Sequence, residues 1–154
     1  MNRPARSQDG FTLLETVCVV AIVAMLAAIL LPRVPRETSR PRLEAYAVET
    51  ASLLNADRTA AIRRRSPVAT QIDATSRSIR SGSSGRIVLF PADVAVDAVL
   101  PQRCNEAPAL HTIAFFATGM SCGGTIALSR PGAGYEVRVN WITGGIEIVP
   151  RRIL

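Results

Sequence analysis

The sequence contains no lysine; all 18 of its basic residues are arginine, an absence we attribute to genome composition rather than to function. It has one histidine, His111, and no CxxC pair among its three cysteines, so no zinc site or other metal centre is expected. Its acids are scattered, and no serine or cysteine stands in an activated arrangement. This argues against an enzyme. Residues 118–124, TGMSCGG, are turn-rich but lack the lysine and hydroxyl ending of a P-loop and the spacing of a dinucleotide fold, and no cofactor is expected. The first ten residues also lack the apolar core of an ordinary secretory signal.

What the chain does have is one long apolar run, unbroken over residues 17–31. Counted from Phe11, the segment gives about 32 Å of helix at about 1.5 Å per residue. That is enough to cross a bilayer core of roughly 30 Å. Glu15 sits inside it, and a carboxylate there costs about 2.5–3.5 kcal/mol on insertion scales, so it calls for a partner. Outside this segment roughly 110 residues remain, enough for one small domain. Hydrophobic residues make up 48% of the chain, inflated by the apolar run. The net charge of +6 suits anionic lipid, nucleic acid or an acidic partner without choosing among them.

Gly10-Phe11-Thr12-Leu13-Leu14-Glu15 resembles the class III signal of type IV pilins and type II secretion pseudopilins. The resemblance implies that residues 1–10 are a leader removed by the prepilin peptidase. The cut falls between Gly10 and Phe11, and the same enzyme then N-methylates Phe11. It also implies that Phe11 and Glu15 are the assembly residues. Glu15 meets the N-terminal amine of a neighbouring subunit, and that ion pair offsets part of the burial cost. Residues 11–31 are then the transmembrane and assembly helix, in which Ala21, Ala24, Ala27 and Ala28 allow close approach. Arg3 and Arg6 favour a cytoplasmic N-terminus, but Arg33, Arg36, Arg40 and Arg42 flank the other side. The orientation therefore rests on the resemblance. It implies a single pass through the bacterial inner membrane, in contact with its lipid, with the C-terminal domain periplasmic.

Pro32, Pro35 and Pro41 mark residues 32–41 as a kinked or partly unwound connector. Residues 42–65 read as an amphipathic helix. Leu43, Tyr46, Ala47, Thr50, Leu53, Leu54, Ala60, Ala61 and Ile62 recur at three-and-four spacing, and Glu44, Glu49, Asp57 and Arg58 fall on other faces. Arg63, Arg64 and Arg65 suit the C-terminal end of its dipole, and Pro67 stops it. Residues 66–154 read as a β domain. Strands are expected over 68–73, 78–80, 86–90, 94–100, 111–116 and 125–129, with 81–85 a flexible turn and a loop after Pro101 running through Cys104 and Pro108. Tyr135, Val137, Val139 and Trp141 alternate with Glu136, Arg138 and Asn140, which places the first four on one core-facing side. Thr143-Gly144-Gly145 then turns the chain into a last strand over 146–149. The expected fold class is α+β, with a pilin helix, kinked at prolines, packed on an antiparallel sheet or β-sandwich-like domain.

The C-terminal half resembles the H-type minor pseudopilins: Phe115-Phe116-Ala117-Thr118-Gly119, then residues 124–128, then 135–141, then Thr143-Gly144. This implies a structural subunit near the tip of the type II secretion pseudopilus, helping to export folded proteins across the outer membrane. Its partners would be other minor pseudopilins, the major pseudopilin and the prepilin peptidase. The alternative is a DNA-binding minor type IV pilin acting in DNA uptake or pilus assembly, with Arg130, Arg138, Arg151 and Arg152 on phosphates. Cys18 lies in the apolar run as a small packing residue. In a periplasmic domain Cys104 and Cys122 are free to form a disulfide.

Overall fold

The computed structural model describes residues 12–30 and 37–151. It divides into two compact units, Met1–Pro35 and Arg36–Leu154. The expected leader, the cleavage pair Gly10 and Phe11, Pro32, Pro35 and Arg152 lie outside the described residues.

The described residues of the first unit form α1 (Leu13–Leu30) with Thr12 before it. Its described side chains are exposed on every face, and no polar stripe divides them apart from Glu15 and Thr16 near the start.

The second unit begins with an extended lead-in. Ser39 is extended, at ψ 158°, and α2 (Arg40–Arg64) follows it. The helix thus starts two residues earlier than expected. Pro41 belongs to its first turn rather than to the connector, because a first-turn residue has no helical acceptor for the N–H that proline lacks. The helix ends at Arg65, which takes a left-handed φ of 52°. The Arg65 and Ser66 N–H groups turn back to the Ile62 and Ala61 carbonyls, a Schellman-type closure. Leu43, Ala47, Thr50, Leu54, Asp57 and Ala61 are buried at a 4-3-4-3-4 spacing, the stripe of an amphipathic helix. Two assignments are corrected here. Asp57 lies on the buried stripe, and Ile62 is exposed.

Two four-stranded antiparallel sheets complete the domain. The first has the order β3-β2-β1-β7, from β1 (Val68–Asp73), β2 (Ser78–Arg80), β3 (Ile87–Leu89) and β7 (Thr112–Phe115). The second has the order β10-β9-β8-β4, from β4 (Ala95–Val99), β8 (Gly124–Arg130), β9 (Ala133–Val139) and β10 (Ile146–Arg151). Between them, within the stretch expected to be a loop, β5 (Arg103–Cys104) pairs with β6 (Ala107–Pro108). The fold is α+β, with α2 packed on both sheets, against β1 and β7 of one and β8, β9 and β10 of the other. In β1, Val68, Thr70 and Ile72 face inward; in β9, Tyr135, Val137 and Val139 do. The apolar ones among these, together with Leu54, Ile79, Ile113, Phe115, Ile126 and Leu128, form one core.

The last strand is longer than expected and includes Pro150. Proline is tolerated there because β10 is an edge, with a neighbour on one side only. Trp141 corrects the alternation reading. The strand stops at Val139, and Trp141 is 62% exposed. Asn140 breaks the pattern: its Oδ1 accepts the N–H groups of Ile142 at 2.9 Å and Thr143 at 3.1 Å. That is an Asx-type turn in place of a further strand residue.

Candidate functional site

The signal-like segment enters the structure at Thr12. Its Oγ1 accepts the Glu15 N–H at 3.3 Å, and its carbonyl accepts the Glu15 and Thr16 N–H groups. Thr12 is therefore the N-cap, and Thr12-Leu13-Leu14-Glu15 has the spacing of a capping box. The sequence reading missed this second use of the motif, although the spacing carried it. Glu15 lies in the first turn, where a carboxylate suits the positive end of the helix dipole. Among the described residues it has no ion-pair partner.

Beyond Thr16 the helix is apolar all round. Leu13 and Leu14 are 82% and 75% exposed, and Val17 to Leu26 present further large apolar side chains. A helix hydrophobic on every face needs an apolar surround. Among the described residues no helix is long and apolar enough to cross a membrane. The 18 described residues of α1 reach about 27 Å at about 1.5 Å per residue, and the sequence stays apolar through Leu31.

In the second unit the best-organised polar cluster surrounds Asp57. Its carboxylate accepts hydrogen bonds from Thr70 Oγ1 at 2.6 Å and Ser81 Oγ at 2.6 Å. It also accepts the N–H groups of Gly82 at 3.0 Å and Ser83 at 3.1 Å, and Ser83 Oγ. The turn expected to be flexible is thus folded onto a carboxylate of α2. Gly82 is required there because a Cβ would run into the Ala69 carbonyl oxygen. Burial pushes the Asp57 pKa up, but the hydrogen bonds from Ser81, Ser83, Thr70 and Gly82 outweigh it, and the net shift is downward. Thr38, just before α2, donates its N–H and hydroxyl to Asp93. The Thr38 N–H is the main cause that holds the Asp93 carboxyl below its ordinary value. These contacts fix the helix on the sheets; none presents a free reactive group.

Arg58 makes two long-range links. Its Nε donates to the Gly119 carbonyl at 3.1 Å and its Nη2 to the Thr143 carbonyl at 3.0 Å. One α2 side chain therefore holds both Thr-Gly turns, Thr118-Gly119 and Thr143-Gly144. Gly144 takes φ +62°, and a Cβ there would meet the Gly119 carbonyl oxygen. Near these turns Cys104 and Cys122 come together, with a Cα–Cα distance of 5.6 Å, within the span of a disulfide. Cys18 is a free, exposed cysteine of α1.

Of the four arginines proposed for DNA, three are described, and two of these, Arg138 and Arg151, converge on one acid. Arg138 donates to Glu136 Oε2 through Nε at 3.0 Å and Nη2 at 2.7 Å. Arg151 lies 3.6 Å from Glu136 Oε1. Arg130 has its Nε buried. His111 is exposed, and among the described residues no group of three or more His, Cys, Asp or Glu could hold a metal ion.

Residues 5–31 match the family described as the prokaryotic N-terminal methylation motif. Over 147 residues the chain is 30% identical to "Type II secretion system protein H" of Xanthomonas campestris pv. campestris, covering 96% of this chain and 86% of that protein. Among solved structures it is similar to the minor pseudopilin EpsH of Vibrio cholerae. The TM-score is 0.57 and the identity 13%, over 75% of this chain and 99% of that one. It is also similar to the type IV minor pilin FimU of Pseudomonas aeruginosa. Here the TM-score is 0.53 and the identity 18%, over 74% and 91% of the two chains. The structural likenesses show the fold, and the sequence likeness shows the kinship. The chain belongs to the type II secretion system protein H family, the H-type minor pseudopilins of the type IV pilin-like proteins.

Proposed function

We propose that this protein is a minor subunit of a type II secretion pseudopilus, assembling near its tip and helping to export folded proteins across the outer membrane. The observation that carries this reading is 30% identity to a type II secretion protein H across 96% of the chain. The methylation-motif match over residues 5–31 supports processing between Gly10 and Phe11, with N-methylation of Phe11 by the prepilin peptidase. Residues 11–31 then anchor the chain in the inner membrane, N-terminus cytoplasmic and β domain periplasmic. In a filament, Glu15 pairs with the Phe11 amine of a neighbour. The oxidising periplasm keeps Cys104 and Cys122 bridged. The other minor pseudopilins and the major pseudopilin are the partners, and the role is structural rather than catalytic. No observation favours the DNA-capturing alternative, since Arg138 and Arg151 converge on Glu136.

The test is a clean deletion complemented in trans, scored for exoprotein release and for DNA uptake. Exoproteins trapped in the periplasm with normal DNA uptake are the expected result. Normal secretion with lost DNA uptake contradicts the reading.

A further inference from the structure

The end of the domain at the two Thr-Gly turns exposes large apolar side chains on a backbone held in place. Trp141, the only tryptophan, is 62% exposed, Ile142 55% and Met120 40%. The backbones that carry them are tied together. The Ser121 N–H donates to the Trp141 carbonyl at 3.1 Å and the Cys122 N–H to the Ala114 carbonyl at 3.0 Å. Arg58 clamps the turns on either side. An aromatic side chain presented on a fixed backbone loses little freedom on binding, and such residues dominate binding energy at interfaces.

Trp141 also forms a wall shared by two grooves. One, of about 840 Å³, crosses the outer face of the second sheet beside Val99, Thr125, Arg138 and Glu147. The other, of about 490 Å³, lies between Trp141, Met120, Phe116 and the Cys104–Cys122 pair. Arg103 is the only charged residue lining the second groove. It donates one N–H to the Glu106 carbonyl at 2.7 Å, and the residue is exposed.

We propose that this end of the domain docks another pseudopilin subunit, seating an apolar side chain against Trp141 and Met120 and a carboxylate on Arg103. The occupant follows from the lining: Trp141, Met120 and Phe116 supply apolar surface, Asn105, Thr118 and Ser121 are polar but uncharged, and Arg103 is the one cation, a combination complemented by an apolar side chain flanked by Asp or Glu. A nucleic acid would meet one cation in an otherwise uncharged groove, which gives the phosphate backbone little to hold. The proposal rests on the pseudopilin reading above.

The test uses the full-length chain in detergent micelles, immobilised, and exposed in turn to each other minor pseudopilin and the major pseudopilin of the same system. One subunit is expected to bind. Trp141→Ala and Arg103→Glu, both at exposed positions, each weaken that binding by at least about tenfold, the size of a hot-spot loss. The Arg103→Glu effect shrinks as salt rises. Thermal melts matching the parent show that the variants are folded. Absence of any bound subunit, binding untouched by both variants, self-association alone, or capture of duplex DNA instead would each overturn the proposal. If deletion blocks secretion while both variants bind and secrete as the parent does, the docking surface is wrong and the pseudopilin reading stands. If deletion leaves secretion intact, that reading itself fails.

Discussion

Ser81 donates its hydroxyl to the Asp57 carboxylate at 2.6 Å, joining the β2–β3 turn to α2 across 24 residues of sequence. Thr70, Gly82 and Ser83 complete the set of donors. Removing the acceptor leaves these donors buried or half-buried without a partner, and each buried unsatisfied group costs about 1–3 kcal/mol. Asp57→Ala is therefore expected to destabilise the domain by about 3 kcal/mol in chemical denaturation. A loss below about 0.5 kcal/mol, the range of an ordinary surface substitution, would show that the cluster does not hold α2 to the sheet.

The same carboxylate sets a pH dependence. Its folded pKa lies below the ordinary value of 3.8, so the unfolded chain takes up its proton first as pH falls. The stability it supplies is fully present above about pH 5, begins to fall as pH approaches the unfolded value of 3.8, and is lost as pH drops through the folded pKa. Melting temperature should hold steady from neutral pH to about 5 and then fall. Asp57→Asn should flatten that fall in part. Asp73 and Asp93, also held below their ordinary values by hydrogen bonds, add to the slope in the same direction. An unchanged profile in Asp57→Asn would contradict this assignment.

Arg58 reaches carbonyls 61 and 85 residues away. Arg58→Ala should cost about 1–2 kcal/mol, two hydrogen bonds from a charged donor set partly in solvent. It should also speed amide hydrogen exchange in both turns, at residues 118–121 and 140–145, while β1 and β2 exchange as before. Lysine cannot copy a planar fork that serves two carbonyls, so Arg58→Lys should resemble Arg58→Ala. Exchange that rises evenly over the domain, or not at all, would remove the clamp.

Within the proposed function, Glu15→Leu should insert in the membrane as well as the parent, since it removes the one carboxylate of an apolar helix. Filament entry should fail, measured as loss of the chain from sheared filaments with its membrane level unchanged. Normal incorporation would refute the proposed pair with the neighbouring amine.

Some of this was legible from residues alone. The alternation of Tyr135, Val137 and Val139 gave the core face of β9, and Thr143-Gly144-Gly145 gave its hairpin with β10, because both are local patterns. The fate of Trp141 was not legible from period two, since an Asn140 side chain closing a turn ends the period without changing the pattern of residue types. Asp57 could have been found: Leu43, Ala47, Thr50, Leu54, Asp57 and Ala61 keep an unbroken 4-3 spacing, which outranks the polarity of one member. What residues 81–85 do could not, because a serine- and glycine-rich turn looks flexible until its distant acceptor is known. The division into two sheets depends on β1 pairing with β7, some 40 residues on, a long-range choice that local pattern leaves open. In the N-terminal segment the processing and assembly residues followed from resemblance, while the cap at Thr12 required only the spacing to Glu15.

The most direct test is mass spectrometry of this chain recovered from pseudopili sheared off cells. The account predicts a polypeptide that begins at Phe11, carries a methyl group on its N-terminal amine and co-purifies with the filament. A chain that still bears residues 1–10, or one absent from filaments while abundant in the membrane, would contradict it.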